Sequence, residues 1–275
     1  MTQIIFNVLP IEINILSNAI IIDNETQIID GEDMNKSRVA WANVLSSATL
    51  TASNDQDNVD NVFDYMTTTF WNAGTGVVTL DIVLAGGENI DCAAITAGNW
   101  ADAATVIEVY SDAGVTKVGE VSGLKNGASY YFDFDPVFTA VMQIKFTSVN
   151  PLSVGQVLFG ESLKFPVKSS IGLELGKFNN KDKVINQTTE NNAFGANSTV
   201  ARSRDTISPF NLIPIDWINN YWVNFSNSHL GRPIWFAWNA EGSPADTIYG
   251  HWTSTPVRYT SSFLSELTLT IKGNV

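Results

Sequence analysis

The sequence predicts an all-β protein of two domains, and three observations carry that expectation. Residues 77–84 (VVTLDIVL) mix β-branched and apolar residues with polar Thr79 and Asp81, the pattern of a half-buried strand. Turn chemistry, at Gly74 to Gly76 and at Ser111-Asp112-Ala113-Gly114, separates such segments at short intervals. Only one stretch, Pro214 to Ser228, carries a convincing helical period. With 275 residues, 44% of them apolar, the chain can fill two cores.

Taken in order, residues 1–30 alternate at Ile11, Ile13 and Ile15 and then run apolar from Ala19 to Ile22. They read as short strands, expected to complete the second domain. A polar linker follows, and the first domain is expected over residues 31–160, opened by residues 38–45. Residues 51–64 (TASNDQDNVDNVFD) form an acidic loop in which Asp55, Asp57 and Asp60 are the candidate metal ligands, with Asp64 a further oxygen donor, since Ca²⁺ prefers carboxylate and carbonyl oxygens. The spacing is not that of an EF-hand loop, because Asp60 stands where its sixth-position glycine belongs, and a solvated acidic turn is the favoured alternative. Trp71 is assigned to the core.

Asn99 and Trp100 fall between two expected strands, so they are the candidate ligand-binding pair: an aromatic platform with an amide beside it suits a sugar. The competing reading makes Trp100 the lid of its own core. A turn at residues 125–127 leads into a strand at 129–133, which Pro136 is expected to end, and Pro151 separates two closing strands.

The second domain is expected over residues 161–275 as a smaller β-sandwich carrying one helix. Its Asn-rich residues 176–205 are too long for a structureless loop and read as a long hairpin or arm. The helix near 214–228 starts at Pro214, has Asp216 at the positive end of its dipole, and presents Ile218, Tyr221, Trp222 and Phe225 as an apolar stripe. Strands follow near 232–238, 250–259 and 265–272.

Charge divides the chain. Through Gln156 there are 19 acidic residues against 5 basic ones, and thereafter 9 against 10. An acidic first domain repels phosphate backbones and anionic headgroups, so neither nucleic acid nor membrane is an expected partner. Cys92 is the only cysteine, so no internal disulfide is available. No Lys or Arg precedes Lys36 and polar residues interrupt the early apolar run, which is not the pattern of a secretory signal. Synthesis in a cytoplasm is expected.

Asp64, Thr69 and Trp71, the strand at 77–84, the Ser111 to Gly114 turn, and the paired segments 141–146 and 154–160 together resemble discoidin-type domains, which are galactose-binding jelly rolls. The resemblance spans roughly residues 38–160 and implies a jelly-roll sandwich with a glycan among its ligands. It lacks the cysteine pair of secreted members. Residues 95–114 (ITAGNWADAATVIEVYSDAG), followed by a second domain, resemble minor tail proteins of bacteriophages. Residues 161–275, with Gly231-Arg232-Pro233 before an aromatic strand, resemble the tail-tube fold. These resemblances imply a virion structural protein, made in the host cytoplasm, whose partners are copies of itself in a ring or oligomer, other tail proteins and a host surface glycan.

Catalytic motifs are scarce. His229 and His251 are the only histidines, neither stands in HExxH, and there is no GxSxG, Walker loop or GxGxxG after a strand. No catalytic residue is assigned. Three readings compete, in this order: a phage tail or tail-tip structural protein, a stand-alone carbohydrate-binding module or adhesin, and a glycan-degrading enzyme.

Overall fold

The computed structural model describes residues 37–274, apart from 127, 171–172, 175–179, 189–193 and 241–245. The strands expected within residues 1–30 lie outside the described residues. The described residues are all-β and form two sheets.

Two long strands build the first domain. β3 (Trp71–Thr96) and β6 (Tyr130–Val154) pair along nearly their whole length, and both bend midway, where the register shifts between Val83 and Glu88. Their first and second halves therefore serve opposite layers. One layer adds β2 (Ala48–Ala52), β4 (Ala104–Tyr110) and β5 (Lys117–Ser122) in the order β2-β3-β6-β4-β5; the other adds β7 (Gln156–Gly160) beside the second half of β3. Alternation decides the faces: Val78, Leu80 and Ile82 with Met142, Ile144 and Phe146 point into the core, while Asp81, Gln143 and Lys145 face outward.

Pro136 and Pro151 do not end strands as expected. Each sits at a register shift, where the ladder needs no N–H from it: Pro136 between the Cys92–Asp133 and Ile90–Val137 pairs, Pro151 between the Gly76–Ser148 and Gly74–Leu152 pairs.

Residues 38–40, expected to open the jelly roll, instead form β1 (Arg38–Ala40) in the other sheet. β1 lies between β8 (Ser162–Lys164) and β11 (Pro233–Ala237). The helix-bearing segment that follows belongs to a second sheet, whose described strands run β8-β1-β11-β12-β14-β10-β9, with β13 (Arg258–Tyr259) on β14. Here β12 is Thr247–Ser254 and β14 is Leu264–Asn274. The expected arm is a hairpin of β9 (Asn180–Thr188) and β10 (Phe194–Pro214), in which β10 pairs with β14 only from Ser203 onward.

The helical segment is continuous but not uniform. α2 (Ile215–Trp217) passes through a π turn (Ile218–Trp222) into α3 (Val223–Ser228). Ile218, Trp222 and Phe225 are buried against Phe165, Phe210 and Leu269, whereas Tyr221 is 58% exposed. The wider i→i+5 turn carries Tyr221 off the stripe that a regular helix would give it.

The two domains meet over the outer face of the jelly roll's smaller layer. Cys92, Ala94, Tyr131 and Leu158 pack there on Ala40, Trp235, Ala237 and Tyr249. Arg38, 1% exposed, donates from Nε to Asp133 at 3.4 Å, and Lys164 lies 3.2 Å from Asp91. Burial pushes the Asp133 carboxyl up while Arg38 opposes the shift. Approach is closest at Gly160, where an added Cβ would stand 1.6 Å from the Ala42 carbonyl oxygen.

Candidate functional site

The loops that carry the sequence-assigned residues gather at one end of the jelly roll, above an aromatic floor. Trp71 and Trp100 flank Phe146, the first edge-on at 6.1 Å and the second stacked at 6.2 Å with an interplanar angle of 4°. All three rings are fully buried. Each indole N–H ties down a loop: Trp71 Nε1 donates to the Asn54 carbonyl at 2.7 Å, Trp100 Nε1 to that of Ala128 at 2.9 Å. Trp100 is therefore not a surface platform. It opens the short helix α1 (Trp100–Ala103) and lies over Gly98, where a Cβ would meet its ring at 2.3 Å.

Asn99 is likewise a staple. Its Nδ2 donates to the Pro151 carbonyl at 2.9 Å and its Oδ1 accepts from the Ser153 N–H at 2.9 Å, so both ends of the amide are engaged between loops.

The three candidate metal ligands do not converge. Asp55, at φ 49, turns into its own loop, accepting from Asn58 Nδ2 at 2.8 Å and from the Asn72 N–H at 3.2 Å. Asp57 and Asp60 are exposed on the 3₁₀ turns of Gln56–Phe63, whose Val59 and Val62 point into the core. Among the described residues no three His, Cys, Asp or Glu side chains form a metal-binding group. The loop thus uses its acidic and amide side chains as turn formers.

A chain of hydrogen bonds crosses this end of the domain, and sequence reasoning missed it. Asn72 Oδ1 accepts from Ser153 Oγ at 3.2 Å; Ser153 connects through Asn99 to Pro151; Asn150 Nδ2 donates to the Asp102 carbonyl at 2.6 Å. Asn126 completes it. Its Nδ2 donates to the Asp102 carboxylate at 2.6 Å, while its Oδ1 accepts from the Ala101 N–H at 2.8 Å. Asn72, Asp102, Asn126, Asn150 and Pro151 remain exposed. Phe70 (37% exposed) and Met66 (57% exposed) are exposed apolar side chains on the segment that leads into Asn72. Below them Asp64 accepts from Thr69 Oγ1 at 2.6 Å, joining two residues of the discoidin-like pattern.

Neither histidine stands at this end. His229 is buried, its Nε2 lies 3.1 Å from the Pro233 carbonyl, and its ring packs on Trp41 and Phe225. Burial pulls its pKa down. His251 is exposed on β12. On the outer sheet face Glu108 is held below the usual carboxylate range by Lys145, whose Nζ lies 2.6 Å away, with Tyr110 and Lys117 also hydrogen-bonded to it. This network links β4, β5 and β6 across their exposed side.

No protein-family model matches the chain, and no curated protein does. Among solved structures, the chain is similar to a CBM32 module produced by Clostridium perfringens (16% identity, 44% of this chain, 99% of that one, TM-score 0.38). It is similar also to the family 32 CBM of C. perfringens NanJ, solved with galactose (19%, 45%, 98%, 0.37), and to the CBM32 of AlyQ, solved with 4,5-unsaturated mannuronic acid (20%, 43%, 95%, 0.35).

Proposed function

We propose that this chain is a non-catalytic glycan-binding protein whose jelly roll presents its stapled loop end to the sugar. The observation that carries the reading is the strip from Phe70 to Asn126. There, exposed amide and carboxylate groups at the start of β3, on α1, near the end of β6 and on the turn at Asn126 are held in place by hydrogen bonds between those segments. A polyhydroxylated ligand needs convergent polar groups that are already oriented, with an apolar surface beside them, and Phe70 with Met66 offers that surface. The acidic balance of this half of the chain favours neutral sugars over sulfated or phosphorylated ones. Screening the intact chain on a glycan array, then titrating the best ligand against wild type and Phe70→Ala, tests the reading. A loss of at least about tenfold in affinity with an unchanged melting midpoint is expected, as for removal of an aromatic contact worth roughly 1.4 kcal/mol. Absence of any glycan ligand would overturn it.

A second reading makes the chain a structural component of a phage tail that assembles with its own copies. The β9–β10 hairpin favours it, because among the described residues the part of β10 before Ser203 pairs with β9 and not with β14. Particle assembly by a chain lacking residues 181–198 would sink it.

A further inference from the structure

The side-chain nitrogen of Gln156 is surrounded by more acceptors than it has protons. Gln156 opens β7 and is fully buried. Its Nε2 lies 2.8 Å from the Asn61 carbonyl oxygen, 2.8 Å from Asp64 Oδ1, 2.8 Å from the Met66 carbonyl oxygen and 3.1 Å from that of Gly155. The orientation of the amide follows from its other end, where Oε1 accepts from the Tyr65 N–H at 2.9 Å. Reversing the amide would set its oxygen among four oxygens and its N–H groups against another N–H. A primary amide has two protons to donate, so four oxygens, one of them on a carboxylate, converge on a point of only partial positive charge.

Carbonyl oxygens and a carboxylate directed at one point are the ligand set of a hard cation, and separations near 2.8 Å are slightly wider than the 2.3–2.6 Å shell of Ca²⁺. This cage takes Asp64 from the acidic loop and none of Asp55, Asp57 and Asp60. We propose that the Gln156 amide takes the place of a cation: it closes the oxygen cage and holds residues 61–70 without metal. Residue 156 is then the selector, because a carboxylate there supplies the missing negative ligand and converts the cage into a divalent-cation site. The loop so held carries Met66 and Phe70, so Gln156 is a positioning residue for the exposed apolar edge of this end. The inference rests on the cage geometry and not on the glycan reading.

The test is thermal unfolding of the intact chain, wild type and Gln156→Glu, in EDTA and in millimolar CaCl₂. Wild type should melt at the same temperature in both. Gln156→Glu should melt several degrees lower in EDTA and recover in Ca²⁺, with a midpoint that climbs as the ion concentration is raised. Mg²⁺ should restore less, since it demands a tighter octahedral shell. Stabilisation of wild type by Ca²⁺, or a Gln156→Glu chain indifferent to Ca²⁺, would overturn the proposal. Should Gln156→Glu fail to fold in EDTA, refolding it in CaCl₂ reads the same outcome. Gln156→Met, similar in shape but without donors, should melt lower than wild type in both media, and a Met variant as stable as wild type would refute the need for a positive partner.

Discussion

Replacing Trp100 by alanine separates a core residue from a sugar platform. The ring has no exposed surface, stacks on Phe146 at 6.2 Å and donates to the Ala128 carbonyl at 2.9 Å. Truncating a buried aromatic costs about 3–5 kcal/mol, and a hydrogen bond such as that to Ala128 is worth about 0.5–1.5 kcal/mol. For a folded unit of this size each kcal/mol moves the melting midpoint by about 2–4 °C, so Trp100→Ala should melt roughly 7–26 °C below wild type. Trp100→Phe keeps most of the packing and loses the N–H donor, and should fall by only about 1–3 kcal/mol, the cost of leaving the Ala128 carbonyl unmatched with some lost contact. Calorimetry or circular dichroism of the intact chain reads both. A Trp100→Ala protein that melts within about 2 °C of wild type would refute the burial argument and return the ring to the surface.

The π turn makes a paired prediction: Tyr221→Ala should shift stability by less than about 0.5 kcal/mol, while Trp222→Ala should cost about 3–5 kcal/mol. Equal costs in urea unfolding would mean that the helix is regular and Tyr221 packed. His229 sets a pH dependence. Its pKa is lower in the folded chain than in the unfolded one, so folding favours the neutral ring, and that stability is present above about pH 6.5 and lost as pH falls towards the folded value. His229→Gln should therefore lose less stability than wild type between about pH 7.5 and 5.5; an equal or larger loss would contradict the assignment.

Much of the jelly roll was legible because local alternation encodes it. Residues 77–84 and 141–146 place every second side chain in the core, and one period of two is readable without knowing the partner strand. Asp64 and Thr69 were likewise readable as a pair, since the hydrogen bond between them closes within five positions. Long-range pairing was not readable. The burial of Trp100 depends on Phe146, and the pairing of Arg38 depends on Ala237. The same holds for the cage at Gln156, built from Asn61, Asp64 and Met66, more than 80 positions away in the chain. Asp55 looked like a cation ligand because its residue type suits one; its actual partners, Asn58 and the Asn72 N–H, make it a turn former. Pro136 and Pro151 misled for a related reason: a proline breaks a ladder only where a hydrogen bond is owed, and a register shift removes that debt.

The measurement that bears most directly on the glycan-binding account is backbone amide NMR of the isotope-labelled chain during titration with the best array ligand. The account predicts shifts confined to residues 66–72, 101–102, 126 and 150–153, with the second domain silent. Shifts centred elsewhere, or none at saturating sugar, would contradict it.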